Sequence, residues 1–425
     1  MSPATFMMVV GVIEIVAGLA ILRILPRMEA QLVMDWLTLI ALTVLAGGQY
    51  DIAVCDHGKV VGAYPHGQVA TLHGDPWLGR LTMGRGSMSM IDLKENAAWP
   101  ITYEQVLDAA RRIQPFLPAT ALRNYPVLDR LLGCTVLVKH ENHQPTGAFK
   151  VRNALAAMTQ LDDAARSRGV VAASRGNHGL GLAYAGRLLN VPVTVCVPVD
   201  NSHTKNEAIE GCGAELVQVG KDYDEAIAFS QEFAARHQRT LIHSTNNSDV
   251  LAGAATLTLE TLAQAAEQGQ EIGAMYFAIG GGSQAVGALT VLRSRGLSIP
   301  VIGVQAASAP TLYDSFRAGH EVSSGLQPTI ADGIATRSTY ALTFQPLLHG
   351  LQDVLQVSET EIRESLRLLL TTTHNLVEGA AAVGLAGLRQ STKLKPHFAP
   401  GKAVVVVLSG ANIDWNVLQS VVCQD

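Results

Sequence analysis

PTGAFK, Pro145–Lys150, lies between an apolar strand-like run at Val136–Val138 and the start of a helical pattern. Three later loops stand in the same relation to an apolar run: SRGNHG (Ser174–Gly179), AIGGGS (Ala278–Ser283) and LSGAN (Leu408–Asn412). A single lysine says little, because most lysines are solvated surface charges. A lysine at a helix mouth is more informative when three strand-to-loop turns accompany it, since such turns offer backbone N–H groups to small anions. The combination suggests a phosphorylated cofactor held covalently by Lys150.

From Ile91 onward short apolar strands alternate with amphipathic helices. Strands are predicted at Val170–Ala173, Val193–Val197, Leu216–Val219, Met275–Ile279, Val301–Val304 and Val404–Leu408. Helices are predicted at Tyr103–Gln114, Phe149–Gln160, Leu180–Leu189, Tyr223–His237, Glu359–Thr371 and Ala380–Gln390. Such alternation implies parallel sheets covered by helices, the doubly wound α/β class. Two domains are expected: a large one from residues 91–167 and 256–425, and a small one from residues 168–255. Ligands of these sheets bind at the carboxyl ends of strands, which is where all four motifs stand.

Lys+Arg 31 against Asp+Glu 36, a net charge of -5, leaves no basic field for nucleic acid. The cysteines (Cys55, Cys134, Cys196, Cys212, Cys423) are widely spaced and form no CxxC pair, which fits a reduced compartment. The apolar excess sits at the N-terminus. Thr5–Leu22 and Leu32–Ala46 are apolar runs separated by a loop with Arg23, Arg27 and Glu29. The first has bilayer-spanning length and the second is slightly short. Each holds one carboxylate, Glu14 and Asp35, which lipid tolerates only when paired or protonated. Residues 5–46 therefore read as a membrane hairpin or the remnant of one, with two packed helices of a soluble domain as the alternative. The charged n-region and cleavage site of a secretory signal are missing. The positive-inside tendency would put the arginine loop in the cytoplasm and both termini outside, against the cytoplasmic catalytic part expected here. Tyr64–Ser89 reads as linker. Residues 1–90 are thus expected to be a hydrophobic helical extension, either a fused membrane fragment or an over-extended reading frame. A native N-terminus well upstream of Met83 would end the second version.

In AIGGGSQAVG the glycines Gly280, Gly281 and Gly282 let the backbone approach a phosphate, with the Ser283 hydroxyl and a helix N-terminus beside it. The loop lacks the lysine of a P-loop and the spacing of a dinucleotide fingerprint. Lys150 must act as the neutral amine to bond a carbonyl carbon, which burial encourages; an ordinary helix-start lysine is the alternative. Phe149 can flank a flat ring or fill a core, and Arg152 can be an ion-pair partner. Asn177 offers an amide to a phenolic oxygen or a carboxylate, or serves the turn, and His178 reads as structural. Ser409 can meet a ring nitrogen or cap a turn. Pyridoxal phosphate is the cofactor that such a set suits.

These motifs resemble the threonine/serine dehydratase and serine racemase group of pyridoxal-phosphate enzymes, of fold type II or tryptophan-synthase-β-like fold, from about Ile101 to Asn412. ENHQPTGAFKVRNA is similar to the family's lysine segment, which implies that Lys150 carries the cofactor and Phe149 packs on its ring. The resemblance implies that SRGNHG receives the substrate carboxylate through Ser174, Arg175, Gly176, Asn177 and His178, with Asn177 facing the phenolic oxygen. It places Gly280–Ser283 on the phosphate and Ser409 on the pyridine nitrogen. TIADGIA (Thr329–Ala335) and VEGAAA (Val377–Ala382) match recurrent segments, with Glu378 in or behind the pocket wall. Family racemases carry a serine where Arg175 stands, so racemisation is disfavoured. The family's divalent-ion glutamate and aspartate are replaced by Gln305 and Thr311, so no metal is expected. The loop reads NH where cysteine-synthase relatives have NT, which favours elimination. The chain ends soon after SGAN, so no regulatory domain is expected.

The implied reaction is α,β-elimination from a β-hydroxy amino acid, L-threonine or L-serine by default, to a 2-oxo acid and ammonia. Lys150, displaced by the substrate amine, would take the α-proton as general base. Arg175 either pairs with a second carboxylate, as in 3-hydroxyaspartate, or points to solvent, and phenylserine remains open. The reading from another class is a membrane-associated protein that binds pyridoxal phosphate or an amino acid without turnover; the intact Lys150, Asn177 and Ser409 set argues against it. The family resemblance also implies a homodimer.

Overall fold

The structure, a computed structural model, describes residues 50–54, 60–65 and 99–423. They fall in two units that divide at Ser89–Met90, each taken by itself. In the first, Tyr50–Val54 (β1) and Val60–Pro65 (β2) pair antiparallel, with Tyr50 opposite Pro65 and a bulge between Ala53 and Val54. Tyr64 and Pro65, read above as linker, close β2. The apolar runs at residues 5–46 and the remaining linker lie outside the described residues. Among the described residues no helix is long and apolar enough to cross a membrane.

The strands of the second unit are β3 (Leu122–Asn124), β4 (Val136–Lys139), β5 (Val170–Ala173), β6 (Val193–Val197), β7 (Glu215–Gln218), β8 (Thr240–Leu241), β9 (Ile272–Ala278), β10 (Val301–Ala306), β11 (Asp353–Val357) and β12 (Ala403–Val407). They form a six-stranded sheet in the order β11-β10-β9-β12-β4-β3 and a four-stranded sheet in the order β7-β6-β5-β8. Every pair is parallel except β3–β4. This is the α/β architecture expected from the alternation. The helices that matter here are α1 (Lys150–Met158), α2 (Asn177–Leu189), α3 (Tyr223–His237), α4 (Ser248–Glu267), α5 (Ser283–Ser294), α6 (Glu359–Thr373) and α7 (Gly379–Leu394).

The central strands β5, β6 and β12 are runs rich in valine and alanine because both of their faces are covered, as parallel sheets require. Leu137, Met275, Phe277 and Val405 of the large sheet share one core with Val170, Ala172, Val193 and Val195 of the small sheet. The alternate residues of the large sheet, Val136, Val138, Ala274, Tyr276, Val404 and Val406, pack with α6 and α7 on its other face. On the far face of the small sheet Val171 and Cys196 pack with Ala234, Phe229 and Phe233 of α3. Burying each such side chain contributes roughly 1.5–3 kcal/mol.

Helix α4 was not legible as an amphipathic pattern, because it is buried almost all round from Val250 to Thr261. Asn247 caps it, accepting from the Val250 N–H at 3.0 Å. At Gly253 a Cβ would lie 2.5 Å from the Arg152 carbonyl, so the absence of a side chain lets α4 cross α1 closely. Helix α2 begins at Asn177, earlier than the predicted Leu180, which puts Asn177 and His178 in its first turn.

Beneath α1 lies a buried ionic network. Arg152 donates from Nε to Glu141 Oε2 at 2.7 Å and from Nη1 to Glu260 Oε1 at 2.6 Å. Lys139 donates to Glu260 Oε2 at 2.7 Å, and Thr120 Oγ1 donates to Glu141 Oε1 at 2.6 Å. Burial alone would raise the Glu141 carboxyl, but Arg152 and Lys139 hold it at about 2. Removing one partner of such a pair strands the others in the core, so Arg152→Met should cost about 3–5 kcal/mol in a denaturation midpoint. The Glu141 carboxyl is depressed from 4.5, so its stabilisation is present above that value and is lost as pH falls towards 2. Acid titration of the fold should show this loss, and an Arg152→Met variant as stable as the parent would contradict it.

Candidate active site

Three central strands of the large sheet, β9, β12 and β4, lie side by side, and β5 sits inside the small one. The four motifs leave these strands at their carboxyl ends and meet around a cavity of about 520 Å³. Lys150, Phe149, Ser174–His178, Gly280–Ser283, Glu378 and Ser409 all line it. The volume is that of a cofactor site.

Lys150 opens α1, and its Nζ donates to the Ser244 carbonyl at 3.1 Å. Among the described residues no carboxylate holds this amine, and burial lowers it to about 8. The Nζ stands 5.2 Å from the centroid of the buried Phe149 ring. The Phe149 N–H donates to the Ser409 carbonyl at 3.0 Å, which ties the lysine segment to the end of β12. Ser409 is buried two residues beyond that strand and lines the cavity.

In SRGNHG the buried Ser174 Oγ accepts from the N–H groups of Gly176 and Gly179 at 3.0 and 2.8 Å. That hydroxyl is therefore committed to folding the loop. Arg175 is half exposed, and its closest acid, Asp200, stands 4.0 Å away. Asn177 donates from Nδ2 to both Glu378 oxygens at 2.8 and 3.1 Å and accepts on Oδ1 from Asn412 at 2.7 Å. His178 is buried, its Nε2–H donating to the Ile242 carbonyl at 3.0 Å while Nδ1 has no partner. Burial and the nearby Lys150 push its imidazole down to about 3, so it is neutral.

Gly282 adopts φ +87, a left-handed conformation open to glycine, and turns the chain into α5. Among the described residues no side chain caps α5, which leaves its first-turn N–H groups without a capping partner where Gly282, Ser283 and Gln284 line the cavity. A phosphate fits that feature: an uncapped helix N-terminus preceded by three glycines, with the Ser283 hydroxyl beside it. The rest of the set fits the other parts of pyridoxal phosphate. It comprises a neutral-leaning amine, an aromatic flank at Phe149, an amide at Asn177 and a buried, uncharged hydroxyl at Ser409.

Sequence inspection did not single out Ser244, Tyr223, Lys205, Arg337 or Tyr340, which also line the cavity. Tyr223 Oη and Ser244 Oγ lie 3.2 Å apart. Lys205 pairs with Asp332, and Arg337 with Asp222 at 2.9 Å and Asp224 at 3.2 Å. Asp332 lies in TIADGIA, the one signal among these segments; KDYDEA carried no periodicity that distinguished it from a surface helix start. Gln305, in place of a metal ligand, uses its amide within the fold, donating to the Ile279 carbonyl at 3.2 Å and accepting from the Tyr313 N–H at 2.9 Å.

A fold and cavity of this kind suit an enzyme that uses a phosphorylated cofactor. The family profile described as pyridoxal-phosphate dependent enzyme matches residues 113–410. An L-threonine ammonia-lyase of Thermotoga maritima is 32% identical over 322 residues, 76% of this chain and 78% of that protein. An L-threo-3-hydroxyaspartate ammonia-lyase of Saccharomyces cerevisiae is 34% identical over 313 residues, 74% of this chain and 94% of that protein. Among solved structures, a threonine deaminase matches with a TM-score of 0.69 at 32% identity, covering 74% of this chain and 99% of its own. A maize serine racemase matches with a TM-score of 0.71 at 26% identity, covering 75% and 96%. The chain belongs to the family of pyridoxal-phosphate dependent enzymes, and pyridoxal phosphate is its cofactor.

Because the Lys150 amine is depressed from 10.5 to about 8, its reactive neutral fraction grows as pH rises to that value. Cofactor uptake by cofactor-free protein should therefore quicken with rising pH and level off above about 8, read as growth of visible absorbance. A rate independent of pH through this range would contradict the assignment.

Proposed function

We propose that this chain is an ammonia-lyase that removes the β-hydroxyl and then the amine of a β-hydroxy amino acid, L-threonine or L-serine first, leaving a 2-oxo acid. The observation that carries this is the Lys150 amine, buried with no carboxylate partner among the described residues, in a cavity that the uncharged Ser409 also lines. When bound, the cofactor supplies a conjugated ring that takes up the electron pair left at the substrate α-carbon. In this reading Gly280–Ser283 and the start of α5 hold the phosphate, and Phe149 packs against the ring. The N–H groups of Arg175, Asn177 and His178 receive the substrate carboxylate, those of Ser174 and Gly176 being spent on the Cys196 carbonyl and the Ser174 hydroxyl. Lys150 takes the α-proton, since an amine near 8 is a competent base at neutral pH. Ser409 would stand towards the ring nitrogen without adding charge there, which would favour loss of the β-hydroxyl over return of the proton. The names of the relatives, L-threonine ammonia-lyase and L-threo-3-hydroxyaspartate ammonia-lyase, support the same reaction.

A dicarboxylic substrate is the second reading, favoured by one observation. Lys205 and Arg337 are held by close carboxylates, whereas Arg175 lies 4.0 Å from its nearest acid and is half exposed at the cavity. It is thus the cavity-lining arginine best placed to take a second carboxylate, that of 3-hydroxyaspartate. The domain division at residues 168–255, a homodimer and a cytoplasmic catalytic part complete the proposal.

Formation of 2-oxo acid from threonine, serine, 3-hydroxyaspartate and phenylserine tests it, with Lys150→Ala as the inactive control. Turnover of a β-hydroxy amino acid that Lys150→Ala abolishes is expected; no turnover of any of the four by cofactor-loaded protein would overturn the proposal. A charged hydrogen-bonded contact contributes about 1.5–3 kcal/mol. Arg175→Ala should accordingly raise KM for 3-hydroxyaspartate about tenfold or more and leave that for threonine nearly unchanged. Equal effects on both substrates would end the dicarboxylate reading.

A further inference from the structure

One hydrogen-bonded chain along the cavity draws on four motifs and reaches beyond the residues used in the chemistry above. It starts at the Thr146 carbonyl in PTGAFK, which can only accept. Asn412 of LSGAN must therefore present Nδ2 there, at 2.9 Å, and the same nitrogen donates to Asn177 Oδ1 at 2.7 Å. That fixes the Asn177 amide of SRGNHG with its nitrogen towards Glu378 of VEGAAA, at 2.8 and 3.1 Å. The orientation of Asn177 thus follows from a backbone carbonyl, and the amide cannot turn over without breaking two bonds.

Glu378 is 3% exposed, and its carboxylate is held by amides rather than by a cation. The Asn412 backbone N–H also donates to it. At Gly410 a Cβ would come within 2.6 Å of Glu378 Oε1, so this loop needs glycine to admit the carboxylate. The charged groups that face it are Asp332 of TIADGIA and Lys205, which are paired with one another. Burial first, and Asp332 second, push the Glu378 carboxyl up to about 7, against the pull of Asn177, Lys205 and the Asn412 N–H.

We propose that Glu378 is a positioning residue with a titratable charge, which sets through Asn177 how strongly the pocket-side amide hydrogen is donated to the phenolic oxygen of the bound cofactor. An anionic carboxylate drawing on one N–H of an amide leaves the other a weaker donor; a neutral carboxyl relaxes that effect. The charge in the cavity lining thereby reaches the cofactor through the Asn177 amide. The inference rests on the cofactor site assigned above.

The test is a titration of the visible absorbance of cofactor-loaded protein through neutral pH, for the parent, Glu378→Gln and Glu378→Asp. The parent should show a spectral step near pH 7 that Glu378→Gln abolishes and Glu378→Asp displaces, and kcat should lose the same step in Glu378→Gln. A Glu378→Gln spectrum that titrates like the parent's overturns the proposal. Should that variant fail to take up cofactor, infrared difference spectra of the loaded parent give the answer. A protonated-carboxyl C=O band must convert to carboxylate in step with the visible change. A visible step without it, or a visible band with no step, overturns the proposal. Failure of the cofactor site itself would look different: no visible band at any pH.

Discussion

The buried pairing of Arg152 with Glu141 and Glu260 is the constraint on which the site depends. Arg152 lies two residues beyond Lys150 on α1, Glu141 opens the loop before it, and Glu260 belongs to α4. Lys139, the last residue of β4, completes the quartet through Glu260. The segment 141–149 leaves the strand and enters the helix between these charges, so both of its ends are fixed. A loop free at either end would have to lose its conformational entropy each time the lysine was presented to a ligand.

Desolvation acts on this quartet and on the cavity alike, and partners decide the outcome. Glu141 is wholly buried but surrounded by Arg152, Lys139 and Thr120, and it ionises down to about 2. Glu378 is equally buried, has amides for partners and Asp332 for a neighbour, and rises to about 7. Lys150 has a carbonyl and no carboxylate, and burial takes it down to about 8. Buried charges with partners hold the fold in place. Those held only by uncharged groups are left near neutrality, where protons can be exchanged, and both line the cavity.

Much of this was visible in the residues themselves. The strands β5 and β6 read directly from VVAA and VTVCV, because valine runs bounded by polar turns have few other uses. The Gly280–Gly282 turn and Ser409 were legible because each closely follows such a strand, and Lys150 because it opens the helix that follows β4. Helix α4 was not, since a helix buried on nearly every side has no polar face to set a period. Nor could spacing show that Asn177 and Glu378, far apart in the chain, share a bond, or that Ser174 turns its hydroxyl back on its own loop. Arg175 could be named as the residue that departs from the racemase pattern, but its half-exposed position near Asp200 needed three dimensions.

The central claim is that Lys150 alone carries the cofactor. Reduction of the cofactor-loaded protein with borohydride, followed by proteolysis and mass mapping of the peptides, tests it most directly. The account requires the pyridoxyl mass on the peptide containing PTGAFK, at Lys150, with none on Lys205 or Lys139. The adduct on another lysine, or none after reduction of a protein that showed the cofactor band, would contradict it.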